Sequence, residues 1–440
     1  MKITRAYKTE LDPNESQRKL FYEYSGAVRF VYNWMLARRI RHYQMFGQYA
    51  EKGERHLTTG RLIKHLRARQ GTHFPWLRNY ASRVEETAGK MIDAAYDRFF
   101  KICRGELPKP KLKRPRKDGK PAGFPRFKSK RGRPISFKFW SIQPEHVGPD
   151  RIRFQRIGWV RLKERAYLPR PSGKLSVKCA TVSVQAGRWF VSLQVEEEVE
   201  VDTFIGGIVG LDVGSRFLAV ASDGRVWGNP RPLRSAQRRL KKLGRKLARQ
   251  TKGSNGWAKT KAQIGRLHYR IANIRKRAIH QLTSDLLARH DNTAARPSVI
   301  CIEDLNVKGM GSNHSLAMSM ADASLAEIHR QIEYKAEWLG VLVIKADRFY
   351  PSTKRCPKCG HIQDVGRGDT EVICEQCGFA VDRDLRGALN LRDYAVDWLA
   401  SKVGESINAG GDGSAGLADV RQGETAPMKP EAAMLAAMPV

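Results

Sequence analysis

Acidic residues are scarce in this chain of 440: 44 Asp and Glu stand against 80 Lys and Arg, a formal charge of +36 at pH 7. A surface so unbalanced repels itself unless it meets a polyanion, and nucleic acid is the usual one. The imbalance excludes a solvated acidic surface and the near-neutral face of an ordinary metabolic enzyme. Long apolar runs are missing too. No stretch approaches the roughly 18 consecutive apolar residues of a membrane span. Residues 1–11 are charged and alternating, without the apolar centre of a signal peptide. The cysteines number seven, an odd count, so no disulfide framework is expected in what reads as a soluble, intracellular chain. Core-forming residues are plentiful. At 41% hydrophobic and 9% aromatic the chain is no disordered basic tail, and its length suits roughly two to four domains.

Residues 1–11 alternate weakly, as a strand does, and Asp12-Pro13-Asn14-Glu15 turns into a helix start. From 17 to about 46, Leu20, Tyr24, Val28, Val31 and Met35 fall three or four apart, an apolar stripe opposite Arg18, Lys19, Arg29, Arg38 and Arg39. Helices are predicted over 59–69 and 79–103. Residues 104–133 then hold 13 Lys or Arg against one Asp and one Glu, among prolines that no helix survives. This stretch reads as a disordered basic linker or as a nucleic-acid-binding segment. For the second, Gly123-Phe124-Pro125-Arg126-Phe127-Lys128 interleaves aromatics with cations. Residues 135–200 read as antiparallel strands of a small barrel or sandwich, with a hairpin of 178–185 and 189–196 about Ala186-Gly187.

A new unit begins at Ile208-Val209-Gly210-Leu211-Asp212-Val213-Gly214, followed by a strand over 217–221. Residues 234–290 read as a basic antiparallel helical hairpin broken at 253–256, its outer face as compatible with plain solvation as with RNA contact. Next come a buried-type strand over 298–302 ending in Glu303-Asp304, a loop over 306–322, a helix over 323–339 and a strand over 341–346. A last amphipathic helix covers 383–400. From about 405 the composition is Gly-, Ala- and Pro-rich without periodicity, which predicts disorder.

Two constellations carry chemistry. The first is Cys356-x2-Cys359-x14-Cys374-x2-Cys377, with Gly360 and Gly378 completing each pair. Glycine there permits a tight turn that aims amides at sulfur. Four thiolates form a closed tetrahedral zinc site of the structural type, unable to activate water; a redox-active dithiol is the alternative. His361 would be a fifth ligand and is left out, and the isolated Cys103, Cys179 and Cys301 read as structural. The second constellation is acidic. Asp212 lies inside an apolar strand, Glu303 ends another, and Asp384 opens the last helix. Carboxylates in buried strands are costly unless paired or bound to a cation. Singly, Asp384 could be a helix N-cap and Glu303 could face a lysine. Together the three could converge at one end of a sheet. Two Mg²⁺ ions there, or Mn²⁺, would activate water and stabilise a leaving 3′ oxygen in phosphodiester hydrolysis.

The order of Gly-x-Asp-x-Gly, Glu303-Asp304-Leu305, four cysteines and Asp382-Arg383-Asp384 resembles the RuvC-like nuclease of the TnpB proteins. These are encoded by bacterial insertion sequences and are relatives of the type V CRISPR effectors. Arg29-Phe30-Val31-Tyr32-Asn33 is similar to the family's N-terminal helix, and Gly123 to Lys128 to its central basic motif. Gln331-Ile332-Glu333-Tyr334-Lys335-Ala336-Glu337-Trp338 is similar to its helix before the zinc segment. The resemblance spans about residues 1–405. It implies an α+β multidomain fold: a helical recognition lobe, a wedge-like β-barrel, and an RNase H-like (RuvC) α/β nuclease domain with an inserted four-Cys zinc ribbon. On that scheme 1–14 is the first wedge strand, 15–103 the recognition lobe and 104–203 the barrel with its basic segment. Residues 204–350 are the nuclease with the hairpin 234–290, 351–380 the ribbon, 381–404 the end of the nuclease and 405–440 a disordered tail.

The resemblance also implies roles. Asp212, Glu303 and Asp384 would be the catalytic triad holding Mg²⁺ or Mn²⁺, with Asp384 preferred to Asp382 because the second acid of that motif is the family's catalytic one. Cys356, Cys359, Cys374 and Cys377 would hold structural Zn²⁺. The partners would be a guide RNA from the transposon end and double-stranded target DNA, opened beside a short transposon-adjacent motif and cut on both strands. Any transposition would need a partner recombinase from the same element, and no membrane is involved. The setting would be the bacterial cytoplasm, at the nucleoid. Candidate nucleic-acid contacts are Ser82, Glu86 and Thr87, on the helix facing the motif, and Phe124, Arg126 and Lys128; polar helical residues are otherwise simply solvated. The loop 309–322 would be a mobile lid. Arg386 stands where the family usually has Asn, and Gly387 where it often has Ala, which bears on the support of the metal site. The alternatives are a nuclease-inactive RNA-guided repressor, which the intact triad disfavours, an accessory transposition protein, a strand-joining transposase, and a zinc-ribbon transcription factor that would leave the triad unexplained.

Overall fold

The computed structural model describes residues 1–47, 49, 57–80, 83–110, 119–130, 136–140, 142–169, 175–199, 206–288, 296–306, 317–366 and 368–409, the last seven as backbone. The chain forms two compact units, Met1–Glu198 and Val199–Val440.

The first unit contains β1 (Lys2–Asp12), α1 (Glu15–Phe46), α2 (Thr59–Gln70), α3 (Val84–Cys103), β2 (Ser136–Phe139), β3 (Arg151–Phe154), β4 (Gly158–Leu162), β5 (Leu175–Gln185) and β6 (Arg188–Glu198). Helix α1 starts at a reciprocal cap. The Asn14 side chain accepts from the Gln17 amide at 2.8 Å, and the Gln17 side chain accepts from the Asn14 amide at 3.1 Å. The β5–β6 turn has Ala186 at φ 52 and Gly187 at φ 80, the left-handed pair that a two-residue hairpin needs. The sheet is antiparallel with order β2-β5-β6-β1-β4-β3. The expected barrel is a half-barrel: β2 and β3 are edge strands, yet the sheet curls until Phe139 and Phe154 meet at 4.8 Å between ring centroids. Phe21 of α1 fills the hollow against Phe137, Phe154 and Trp189. Helices α1 and α3 therefore share one core with the sheet. The helix predicted from 79 begins at Val84, because Pro75–Asn79 forms a separate 3-10 turn.

The second unit contains β7 (Ile208–Asp212), β8 (Phe217–Ala221), β9 (Val226–Gly228), α4 (Pro232–Ala248), α5 (Asn255–Leu286), β10 (Val299–Glu303), α6 (Ala317–Ala323), α7 (Leu325–Leu339), β11 (Leu342–Ala346), β12 (Glu371–Ile373), β13 (Ala380–Asp382) and α8 (Arg383–Ala409). Its main sheet has order β11-β10-β7-β8-β9, with β10 and β11 parallel to β7, β8 antiparallel to β7 and β9 antiparallel to β8, the RNase H-like arrangement. Both faces are covered, which is why β7 and β10 read as continuous apolar runs. Leu211, Ile300 and Ile302 pack with Ile279, Leu282, Ile328 and Ile332 of α5 and α7. Val299, Cys301 and Ile344 pack with Leu391, Ala395 and Leu399 of α8. Gly210 faces α8 so closely that a Cβ would collide with the Ala388 carbonyl and the Arg392 amide.

Two boundaries differ from expectation. Residues 317–322 of the predicted loop belong to a helix, Ala317–Ala323, and the final helix, expected over 383–400, continues to Ala409. Residues 309–316 of the proposed lid and 410–440 of the proposed tail lie outside the described residues, as do 111–118 and 131–133 of the basic segment. Among the described residues no helix is long and apolar enough to cross a membrane.

Candidate active site and metal centre

The parallel register pairs Leu211 with Ile302. One residue further on, Asp212 and Glu303 end adjacent strands on the face toward α8, the face of Gly210 and Cys301. The first turn of α8 adds Asp384, which is buried. A Cβ on Gly387, in the next turn, would stand 3.3 Å from the Asp212 carboxyl carbon, so the helix backbone seals that side of the carboxylate. Burial first, then the charges of Glu303 and Asp384, push the Asp212 carboxyl well above the usual range. Glu303 is also raised by burial, partly offset by the Ser352 hydroxyl that donates to its Oε1.

Asp382 and Asp384 divide the helix start between them. The Asp382 carboxylate accepts from the amides of Asp384 at 2.9 Å and Leu385 at 3.3 Å, so Asp382 is the capping residue. Burial would raise the Asp382 pKa, but the Arg216 guanidinium at 2.7 Å and those two amides hold it below the usual range. Asp384 is free of the capping role and meets Arg383 at 3.3 Å and Arg216 at 3.6 Å. Asp304, next to Glu303, turns to the rim and pairs with Arg348 at 2.5 Å.

Arg386 is fully buried and points away from the acids. Its Nε donates to the Arg355 carbonyl at 2.8 Å and its Nη2 to the Lys354 carbonyl at 3.0 Å. The Arg386 side chain thus ties α8 to the turn that precedes Cys356.

The four sulfurs of Cys356, Cys359, Cys374 and Cys377 lie within 4.8 Å of one another and could hold one metal ion. The separations Cys356–Cys377 at 3.7 Å and Cys359–Cys374 at 3.6 Å are close to the ~3.8 Å edge of a tetrahedron with ~2.3 Å metal–sulfur bonds. Gly360 and Gly378 adopt φ 77 and φ 69, and their amides donate to the carbonyls of Cys356 and Cys374 at 2.9 Å. Burial would raise the Cys374 thiol, but the amides of Cys377 and Gln376 draw it down to about 6; the His361 amide favours the Cys359 thiolate, but burial and the neighbouring thiols push it up to about 12.

The candidate nucleic-acid residues lie in the first unit. Ser82 is outside the described residues. Glu86 is half-buried in the first turn of α3, 4.0 Å from Arg83. Thr87 is buried, and its hydroxyl joins the Lys138 carbonyl at 3.3 Å and the Trp140 indole at 3.1 Å, so it presents no open surface. Phe124 packs edge-on against Phe99 and Tyr96, and Arg126 is exposed. Lys128 is partly buried; its backbone is clamped in both directions by the Asn33 amide, and its ammonium sits 4.2 Å over the Tyr32 ring. Two sequence motifs far apart in the chain thus dock on each other. Arg216 and Ser352, which touch the acids, escaped the sequence reading. Neither carries a local signal, since each meets its partner only through the fold.

Sheet order and cysteine insertion together define an RNase H-like α/β protein with a four-cysteine ribbon. Sequence profiles agree along the chain. Residues 326–391 match the profile described as Cas12f1-like, TNB domain, and 190–314 match that of a Probable transposase, OrfB_IS605. Residues 1–48 match its Helix-turn-helix domain, where this structure has one strand and one helix. The Escherichia coli (strain K12) protein named "Putative RNA-guided DNA endonuclease InsQ" is 31% identical over 432 residues, spanning 93% of this chain and 96% of that protein. The chain therefore belongs to the TnpB family. A Streptomyces pristinaespiralis protein named "Putative RNA-guided DNA endonuclease" is 27% identical over 416 residues, 92% of each chain. The Cas12f1 chain in a solved complex with sgRNA and target DNA aligns over 89% of this chain and 99% of its own, with 13% identity and a TM-score of 0.49.

Proposed function

We propose that this protein is an RNA-guided DNA endonuclease of a transposon, which binds a guide RNA from the transposon end and cuts double-stranded DNA beside a short adjacent motif. The observation that carries the reading is the convergence of Asp212, Glu303 and Asp384 at one end of the sheet, with the Asp212 carboxyl raised by burial and then by its acidic neighbours. In a chain of charge +36 such a cluster is paradoxical unless cations join it. The names of relatives that match over nine-tenths of the chain point the same way.

Asp212, Glu303 and Asp384 supply hard oxygen donors of the kind that bind Mg²⁺ or Mn²⁺. When bound, two such ions supply an activated water and stabilisation of the leaving 3′ oxygen. Asp382 fixes the first turn of α8 and so fixes Asp384. Gly387 lets the helix lie against Asp212 and exclude bulk water from that side. The four cysteines hold structural Zn²⁺. The basic hairpin of α4 and α5 and the basic segment of the first unit neutralise phosphates. Residues 15–103 serve as the recognition lobe and 104–203, with 1–14, as the wedge.

The test is to express the protein with its native flanking DNA, sequence the RNA that co-purifies, and challenge the particle with targets bearing randomised flanks, with and without Mg²⁺. A discrete RNA and motif-dependent cutting are expected, and Asp212→Ala should abolish cutting while RNA and DNA binding persist. Cutting that survives the substitution would refute the triad.

A further inference from the structure

Between β11 and the first cysteine pair, residues 350–356 form a strap laid along α8. Hydrogen bonds from the helix pin it. Arg386 donates to the carbonyls of Lys354 and Arg355, at 3.0 and 2.8 Å. Asn390, one turn later, donates through Nδ2 to the carbonyls of Ser352 at 2.5 Å and Arg355 at 2.7 Å. Pro351 closes the strap on itself, its carbonyl accepting from the amides of Lys354 and Arg355. Ser352, Arg386 and Asn390 are all buried. The strap reaches the acid cluster through Ser352, whose hydroxyl donates to Glu303 Oε1.

A carboxylate at the end of a strand has free rotation about its terminal bonds. A hydroxyl donor on one oxygen removes that freedom and leaves the second oxygen turned toward a cation. Partners of this kind, which hold a ligand without touching the metal, typically change affinity by about 10–100-fold when removed. The donor here is itself held: its backbone carbonyl is anchored by Asn390, and the turn around it by Arg386. The strap continues directly into Cys356, so the same short segment joins the cysteine cluster to the acid cluster.

We infer that Ser352 is a positioning residue for the acid cluster, orienting Glu303 for a divalent cation, and that Arg386 and Asn390 hold it in place for this task. This rests on the metal-site reading above. Arg386, unusual for the family, then supports the metal site through the strap rather than by reaching it.

The test uses the full-length protein with its co-purified RNA. Mn²⁺ is titrated and followed by electron paramagnetic resonance, with Asp212→Ala as the baseline for RNA-bound and adventitious ions. Ser352→Ala is expected to raise the half-saturating Mn²⁺ concentration about tenfold, with zinc content and melting temperature unchanged. The Mn²⁺ requirement for DNA cutting should rise in parallel, while the rate at saturating Mn²⁺ falls less. Ser352→Thr, which keeps the hydroxyl, should restore wild-type affinity. Equal affinity in Ser352→Ala overturns the assignment, and so does a loss that comes with falling zinc content and melting temperature. Wild-type protein without Asp212-dependent Mn²⁺ binding would instead overturn the metal site itself, and the assignment with it.

Discussion

Three carboxylates gathered in a largely enclosed site make the metal-free fold work against itself, and Asp212→Asn should reveal by how much. Burial and the charges of Glu303 and Asp384 raise the Asp212 pKa in the folded chain. Between the ordinary carboxylate pKa and that raised value, the folded state holds more protons than the unfolded state. Stability therefore falls as pH rises through this window, and the full cost is present above it. Asparagine has nearly the same shape and no charge. Leaving a buried polar group poorly satisfied costs about 1–3 kcal/mol, and a unit of this size shifts by about 2–4 °C per kcal/mol. In chelator at pH 7.5, Asp212→Asn should therefore melt about 2–12 °C higher than the natural chain, and the gap should close toward pH 4. The order should reverse with Mn²⁺, which stabilises only a chain that binds it. Scanning calorimetry at several pH values, with and without Mn²⁺, measures both. An Asn variant that melts lower in chelator, or a gap that widens on acidification, would refute this electrostatic account.

Gly210→Ala should prevent stable folding of the second unit, because the new methyl would meet the Ala388 carbonyl and the Arg392 amide, both backbone. Gly207→Ala, with open space around it, is the control, and soluble yield with circular dichroism reads both. Arg386→Met should cost about 1–2 kcal/mol in denaturant melts, since it removes one donor each from the carbonyls of Lys354 and Arg355, which keep the Gln363 amide and Asn390; a neutral result would mean that Asn390 and the Gln363 amide suffice to anchor the strap. Elemental analysis should find one zinc per chain, lost in Cys374→Ser together with several degrees of melting temperature. Guide RNA affinity should fall steeply with salt, and charge-neutral substitutions along α4 should flatten the log–log slope by about one for each phosphate no longer neutralised.

The candidate site is legible in sequence where chemistry conflicts with surroundings. Asp212 and Glu303 stand out because an acid inside Ile-Val-Gly-Leu or Val-Ile-Cys-Ile has no cheap structural excuse. The cysteines stand out because metal geometry fixes their spacing and the glycines that follow. Long periodic helices such as α1 and α5 are legible for the same reason that they are stable: the apolar stripe that marks them is the stripe they bury. Short strands are not. β4 and β9 carry three to five residues each, too few to show a period, although each pairs with the strand just before it. The half-barrel is equally hidden, since curvature comes from Phe139 and Phe154 meeting across edges that sequence cannot bring together. Ser352 and Glu303 are 49 residues apart, and no periodicity links them.

Asp382-Arg383-Asp384 shows how such a motif divides its labour. Either aspartate could cap the helix, and capping uses up the lone pairs that a cation would need. The fold gives Asp382 the amides of Asp384 and Leu385 together with Arg216. Asp384, two residues on, is one step inside the helix, past the capping position, and its carboxylate faces Asp212 instead. The two acids should therefore respond differently to removal of charge. Asp382→Asn keeps a capping oxygen and should cost less than about 1 kcal/mol of stability, with cutting reduced only through a looser Asp384. Asp384→Asn should leave the cap intact and eliminate cutting. If Asp382→Asn eliminated cutting and Asp384→Asn spared it, the division would be the reverse, and the hydrogen bonds to the first turn of α8 would be incidental to the metal site.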